Sequence, residues 1–197
     1  DSDSNKVVIS YKDNSNSDYG TAIVGTVSGT SISFGSAVVF ESAHSTQMSS
    51  TFDSNSNKAV IVYNDVANSN AGTAIVGTVS GTDISFGTAA VFESGNTELT
   101  SATFDSNSNK VVIAYKDAGD SNKGKAVVGT VSGTGISFGT PVEFESAAAA
   151  NITMTFDSSN NKVVIAIRDS SDVGKAYVGT VSGTSISFGS AVDFTSG

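Results

Sequence analysis

The stretch DSNSNKVVIAYKD at residues 105–117 is followed, after a short polar loop, by GKAVVGTVSGTGISFGTPVEFES at residues 124–146. This pair of segments decides the fold, because close copies of it open at Asp1, Asp53, Asp105 and Asp157, 52 residues apart. A repeat of that length is one supersecondary unit, which buries its apolar faces against its neighbours. The chain therefore reads as a single domain of repeats 1–52, 53–104, 105–156 and 157–197.

The third copy shows the content of a unit. Lys110 to Asp117 carries an apolar run without alternation, the pattern of a strand buried on both faces. A second strand of small and β-branched residues follows from Lys125 to Val131. Ser132-Gly133-Thr134 makes a tight turn, since glycine tolerates positive φ. A third strand starts at Ile136 and continues past a kink at Gly139 into Val142 and Phe144. After a second polar stretch, Thr153 to Phe156 forms a short strand that turns back through residues 157–161. Helical periodicity is absent throughout. Four antiparallel strands repeated at this spacing predict an all-β, four-bladed β-propeller.

All eleven phenylalanines fall at three repeat positions. Phe34, Phe86, Phe138 and Phe188 form one set, Phe40, Phe92, Phe144 and Phe194 the second, and Phe52, Phe104 and Phe156 the third. Aromatic side chains dominate buried area, so these are read as packing between blades. Tyr11, Tyr63 and Tyr115 share a position that the fourth copy fills with Ile167, a swap that argues for packing over a needed hydroxyl. The third phenylalanine set lacks a fourth member, so one blade is expected to lack its innermost strand. Tolerance of the gap, a longer array, or a strand donated by a neighbouring chain are the competing explanations.

A net charge of -9 and a pI near 4.3 argue against nucleic acid and anionic membrane surfaces as partners. With no cysteine there is neither disulfide nor thiolate metal site. No apolar run reaches the ~18 residues of a membrane span. One histidine and one arginine leave no room for a triad, and nothing resembles a paired acid–base site, so no enzyme and no cofactor are expected.

Comparison of the copies locates candidate binding residues. The D-S-N-S-N and V-S-G-T turns barely change. The connections at residues 14–19, 66–71, 118–123 and 170–173, and at 43–49, 95–101 and 147–152, change freely. In an up-and-down blade both variable sets lie at one end of the strands. Variable loops on a rigid scaffold are where binding usually resides. The candidate ligand-binding residues are Asn14, Asn16, Asp18, Tyr19, His44, Gln47, Asn68, Asn70, Asn96, Glu98, Asp120, Asn122, Asn151 and Asp172. Asn151-Ile152-Thr153 is also a formal glycosylation acceptor.

The D-S-N-S-N segments place oxygen ligands at positions 1, 3 and 5, as calcium loops do. Lysine stands at position 6 where such loops need glycine, and Lys12, Asn64, Lys116 and Arg168 stand where a bidentate glutamate belongs. A turn stabilised by Asx hydrogen bonds is the simpler reading. A separate cation reading places Asp1, Asp53, Asp105 and Asp157 around one mouth of the channel, bridged by a structural cation.

The S-G-T-S-I-S-F-G-S-A-V-V-F hairpin distantly resembles the Asp-box hairpin of sialidase-type propellers. Phenylalanine replaces the tryptophan here, and only Asp83 supplies an acid near the turn. Such enzymes use three arginines on the substrate carboxylate and this chain has one, so the activity does not carry over. The consensus T-F-D-S-N-S-N-K-V-V-I-A-Y-K-D with G-T-A-I-V-G-T-V-S-G-T-S-I-S-F-G more closely resembles near-identical-repeat propellers of marine phages and bacteria, along the whole chain. That resemblance implies a propeller fold and an extracellular, cell-surface or virion setting. The expected function is a non-enzymatic scaffold for surface binding or adhesion, its variable face contacting a glycan or protein. The alternative is a structural subunit of a fibre or virion that assembles through the incomplete blade. The expected state is accordingly a monomer or a self-assembly.

Overall fold

The computed structural model describes residues 1–2 and 4–196. The first copy forms β1 (Lys6–Asp13), β2 (Tyr19–Ser28) and β3 (Ser31–Phe34). β4 (Val38–Asp53) leads into the second, with β5 (Lys58–Asp65), β6 (Ala71–Ser80) and β7 (Asp83–Phe86). β8 (Ala90–Asp105) leads into the third, with β9 (Lys110–Asp117), β10 (Lys123–Ser132), β11 (Gly135–Phe138) and β12 (Val142–Ala148). The fourth has β13 (Ala150–Asp157), β14 (Lys162–Arg168), β15 (Gly174–Ser182), β16 (Ser185–Phe188) and β17 (Val192–Asp193). Among the described residues the only helical element is a 3₁₀ turn at Val66–Asn68.

Each copy builds one antiparallel sheet. In the second, the order runs from residues 45–53 through β5 and β6 to an outer edge made of β7 and residues 90–96. Two turn chemistries fix this order. The Asp53 carboxylate accepts from the amides of Asn55 at 2.9 Å and Ser56 at 3.0 Å, and Asn57 adopts the left-handed conformation at φ 56°. Asparagine tolerates that region better than most side chains. Asp105 and Asp157 repeat the arrangement. At the S-G-T turn the positive φ falls to Gly29, Gly81, Gly133 and Gly183.

The variable segments at 43–49 and 95–101 are not loops. β4 and β8 each run for 16 residues, closing the outer edge of one sheet with their first half and opening the next sheet with their second. The register slips between Thr46 and Ser49 and between Glu98 and Ser101, where Gln47 and Leu99 take positive φ. Asn151 does the same between Ala150 and Thr153. A bulge bends the strand from one sheet to the next while the flanking ladders keep their backbone groups paired.

The sheets face one another, and a separate apolar core fills each of the three gaps. Val8, Val24, Ile61, Tyr63 and Ile84 occupy the first, Val62, Val76, Phe92, Ile113 and Tyr115 the second, and Ala114, Val128, Phe144, Ile165 and Tyr177 the third. Burying one such aliphatic or aromatic side chain stabilises by ~1.5–3 kcal/mol. Position in the stack controls burial more than sequence does. Val24, Val76 and Val128 are 0–1% exposed, but the equivalent Val178 is 47% exposed because no sheet covers it. Ile84, Ile136 and Ile186 are 3–8% exposed, whereas Ile32 in the first sheet is 44% exposed.

A closed ring of blades is therefore not formed. Among the described residues the main inter-sheet contacts join consecutive copies, and the first and last faces stay open, with Ile32 and Val178 nearly half exposed. Among the described residues β1 pairs only with β2, so the other edge of β1 carries no strand. A 230 Å³ groove lies on its open side, lined by Asp1, Lys6, Val7, Val8, Ser50, Thr51, Phe52 and Ala59.

Close approach between sheets also explains the glycine that splits each outer edge. A Cβ on Gly35, Gly87 or Gly139 would lie 1.8–2.1 Å from the carbonyl oxygen of Thr82, Thr134 or Thr184 in the following copy. Gly87→Ala is expected to push the third sheet off the second and destabilise the protein by ~1–3 kcal/mol. Chemical denaturation measures this directly, and an unchanged midpoint would contradict the contact.

Candidate functional site: the variable edge

The two variable sets meet on one edge of every sheet. The strand carrying residues 45–53 runs away from that edge, turns at Asp53 and returns, so the next connection falls beside the first. Backbone bonds tie them: Ser45 N donates to Asp18 O at 3.1 Å, Thr97 N to Asn70 O at 3.0 Å, and Ala149 N to Asn122 O at 2.9 Å. The near-uniform turns lie at the other end of the strands. Asp13, Asp65 and Asp117 end β1, β5 and β9, Asp169 directly follows β14, and all four anchor the variable turn that follows. Their carboxylates accept from the amides of Ser15, Asn68, Asp120, and both Ser171 and Val173.

The fourteen candidate residues are all exposed or half-exposed on this edge. In the first copy Tyr19 pairs with His44, and Asp18 lies 3.3 Å from Lys12 and 4.0 Å from His44. Asn14 and Asn16 project from the same turn. In the second copy Asn68 closes the 3₁₀ turn and Asn70 sits beside Asn96 through the Ala71–Asn96 pairing. Gln47, Glu98 and Asn151 occupy or adjoin the bulges. Glu98 is held by Lys116 at 2.5 Å.

Charge accumulates towards the later copies. Lys125 bridges Asp117 at 2.7 Å and Asp120 at 2.9 Å, and Lys123 joins Asp120 at 3.3 Å to Glu143 at 3.2 Å. Burial opposes the charged form of Lys125, but hydrogen bonds to Asp117 and Asp120 outweigh it and raise its pKa. The same lysines lower that of Asp120. Asn122 lies in the turn beside them, and Arg168 pairs with Asp172 in the fourth copy. A 400 Å³ cavity touches Asn151 and Asp172, and is also lined by Thr153, Ala166, Ile167, Arg168, Gly174, Phe194 and Thr195.

One contact escaped the sequence reading. Tyr63 donates to the Glu41 carboxylate at 3.2 Å and Tyr115 to Glu93 at 3.1 Å, each across the gap to the preceding sheet. In the fourth copy Ile167 takes the tyrosine's place, yet Tyr177 on the neighbouring strand reaches Glu145 at 2.7 Å. The hydroxyl is thus kept in all three gaps, and the reading of the isoleucine swap as evidence for packing alone is corrected. The same rings pack at a tilt of 58° on Phe40, Phe92 and Phe144, at centroid distances of 5.2–5.3 Å. The available signal was a glutamate directly after each of these phenylalanines. Strand pairing hid it, because Tyr177 and Ile167 lie on adjacent strands and become neighbours only in the folded sheet.

Burial first, then the facing glutamate, raises the pKa of all three tyrosines well above the ordinary range. Burial alone would raise Glu145, but bonds from Tyr177, the Ala147 amide and Lys175 hold its carboxyl below the usual glutamate range.

Asp1, Asp53, Asp105 and Asp157 do not converge on one ion. Among the described residues no group of three or more His, Cys, Asp or Glu could hold a metal. Each of these carboxylates instead accepts amides within its own turn, as with Ser4 N to Asp1 at 3.1 Å. With the ring open, nothing draws the four turns around a common axis. Among the described residues no helix is long and apolar enough to cross a membrane.

Comparison with protein-family models finds no match, and comparison with curated protein sequences finds none.

Tyr115→Phe is expected to cost ~1.5–3 kcal/mol, the range for a hydrogen bond to a charged group, with the sheet content by circular dichroism unchanged. The raised tyrosine pKa values also fix a sign. Unfolded tyrosine ionises near ~10, so their contribution is complete below that pH and is lost as pH rises beyond it. Glu145, with its lowered pKa, contributes above its unfolded value near ~4.3 and loses that contribution as pH falls below it. Stability measured against pH should therefore decline at both limits, and Tyr177→Phe should weaken the alkaline decline.

Proposed function

We propose that the protein is a non-enzymatic binding or adhesion scaffold, with its variable edge as the contact surface for a glycan or a surface protein. One observation carries the reading: two independent sets of diversified segments adjoin in successive copies, while the turns at the opposite end stay nearly constant. A rigid framework with changing polar tips is the usual arrangement of recognition surfaces. Asn, Asp, Gln and Ser supply directional hydrogen bonds along the edge, and Tyr19 beside His44 supplies a surface for stacking. In this reading the four repeats serve as blades of an open, propeller-like scaffold outside the cell, on a cell surface or on a virion. The acidic charge favours neutral or basic partners over nucleic acid.

A glycan array and a cell-surface binding assay test the reading, with the purified chain as probe. A fourfold variant carrying Asn16→Ala, Tyr19→Ala, Asn70→Ala and Asn96→Ala should lose at least tenfold in binding and keep its unfolding midpoint within a few degrees. Substituting Ser106 and Ser158 in the constant turns should leave binding unchanged. Equal binding by both variants would remove the variable edge from consideration.

A further inference from the structure

We propose that a second copy of this chain docks head-to-tail, its first sheet covering the last sheet of its neighbour. Such docking would repeat the internal junctions and does not depend on the binding role of the variable edge. The two outermost faces are the two unsatisfied halves of a junction that the molecule already makes three times.

An internal junction has three matched parts. A tyrosine enters a socket made by a phenylalanine and a polar residue of the preceding sheet, as Tyr115 does at Phe92 and Glu93. A phenylalanine of the third strand packs against the same ring, as Phe138 does on Phe92 at 5.7 Å. A threonine carbonyl seats on the glycine that interrupts the outer edge, as Thr134 does on Gly87. Each part recurs at the ends with no sheet opposite it, although Thr195 Oγ1 already accepts from Gly174 N at 2.7 Å. The first sheet presents Tyr11, Phe34 at 51% exposure and Thr30 in its S-G-T turn. The last sheet presents Phe194 at 60% exposure, Thr195 and Gly189.

The sockets confirm the correspondence in space. A Cβ on Gly189 would find only the Val178 carbonyl oxygen, at 3.9 Å, whereas its internal counterparts meet a carbonyl at 1.8–2.1 Å. The 400 Å³ cavity bounded by Phe194, Thr195, Ala166 and Ile167 occupies the position that Tyr177 fills at the third junction. Tyr11 of a second copy has the ring to fill it.

The new junction is weaker than the internal ones for two reasons. Thr195 stands where the internal sockets carry glutamate, so the tyrosine hydroxyl gains a neutral partner instead of a carboxylate, and charge-assisted bonds are about twice as strong. The first sheet also brings no inner strand, so contacts such as Ala102 N to Ser49 Oγ at 3.1 Å have no counterpart. Association is therefore reversible and concentration-dependent. Because the faces differ, the contact is heterologous, and it yields a series of oligomers or a closed ring of several chains instead of a two-fold dimer.

Sedimentation velocity on the full chain over a wide concentration range tests this. The wild type should pass from monomer to species larger than dimer. Ile32→Glu blocks the first face and Gly189→Val the last, at positions exposed in the monomer, so each alone should stay monomeric with an unchanged circular dichroism spectrum. Mixed together they should form a 1:1 dimer and nothing larger, through their remaining intact faces. Thr195→Glu should tighten association about tenfold, the equivalent of ~1.4 kcal/mol. Three outcomes overturn the proposal: a wild type that stays monomeric throughout, whether its faces close on each other or await further repeats; assembly that both blocking variants retain, which would point to strand addition beside β1; and a mixture that remains monomeric while the wild type assembles.

Discussion

The structure depends on the burial of one sheet face by the next copy's sheet. No sheet in this chain has a core of its own. The apolar run of β9 is buried on both sides because sheets lie against both its faces, and the same run in β1 leaves Val7 and Ile9 about two-fifths exposed. Stability in such a protein is a sum of nearest-neighbour junctions more than a property of a common centre. That constraint accounts for the near-identity of the copies: each face must fit a partner that is itself a copy.

Within a junction, packing and polarity are combined in one side chain. The tyrosine ring fills the socket, and its hydroxyl donates to a glutamate that is half-buried in the first two gaps and buried in the third, where an unsatisfied charge is costly. Glu145 shows the completed arrangement, with Tyr177, Lys175 and the Ala147 amide around a carboxylate 6% exposed. The move of the tyrosine from the β9-equivalent position to β15 in the fourth copy preserves the contact with a different backbone origin. The constraint therefore acts on the hydroxyl's location in the gap and not on a sequence position.

The same architecture frees the variable edge. Turns at the other end carry fixed tasks: an aspartate collecting amides, an asparagine or glycine at positive φ, and a threonine carbonyl seated on a glycine. The variable edge keeps the anchoring aspartates, backbone bonds between its connections and a few buried side chains such as Ser45, Thr97 and Ala149, while its fourteen candidate side chains stay outside the core. The bulges at Gln47, Leu99 and Asn151 contribute by turning the strand between sheets without a long loop. The two variable sets were visible in the sequence because freedom to vary shows as difference among copies, and they adjoin in the structure. Sequence comparison mistook residues 43–49 and 95–101 for loops because a polar, irregular bulge within a strand has the composition of a loop.

The all-β class, most strands, the turns and the phenylalanine sets were legible in the sequence, because each follows from local backbone preference and from the spacing of the repeat. Three things required the tertiary structure. One is the Tyr177–Glu145 contact, which depends on cross-strand adjacency between residues ten apart in the chain and a partner in another sheet. The second is the separation of Asp1, Asp53, Asp105 and Asp157, which a closed ring would have gathered. The third is the open state of the two end faces. A repeat specifies how one copy meets the next, which is a local relation. Whether those steps add up to closure is a global one, set by the accumulated geometry of successive junctions, and no single copy encodes it.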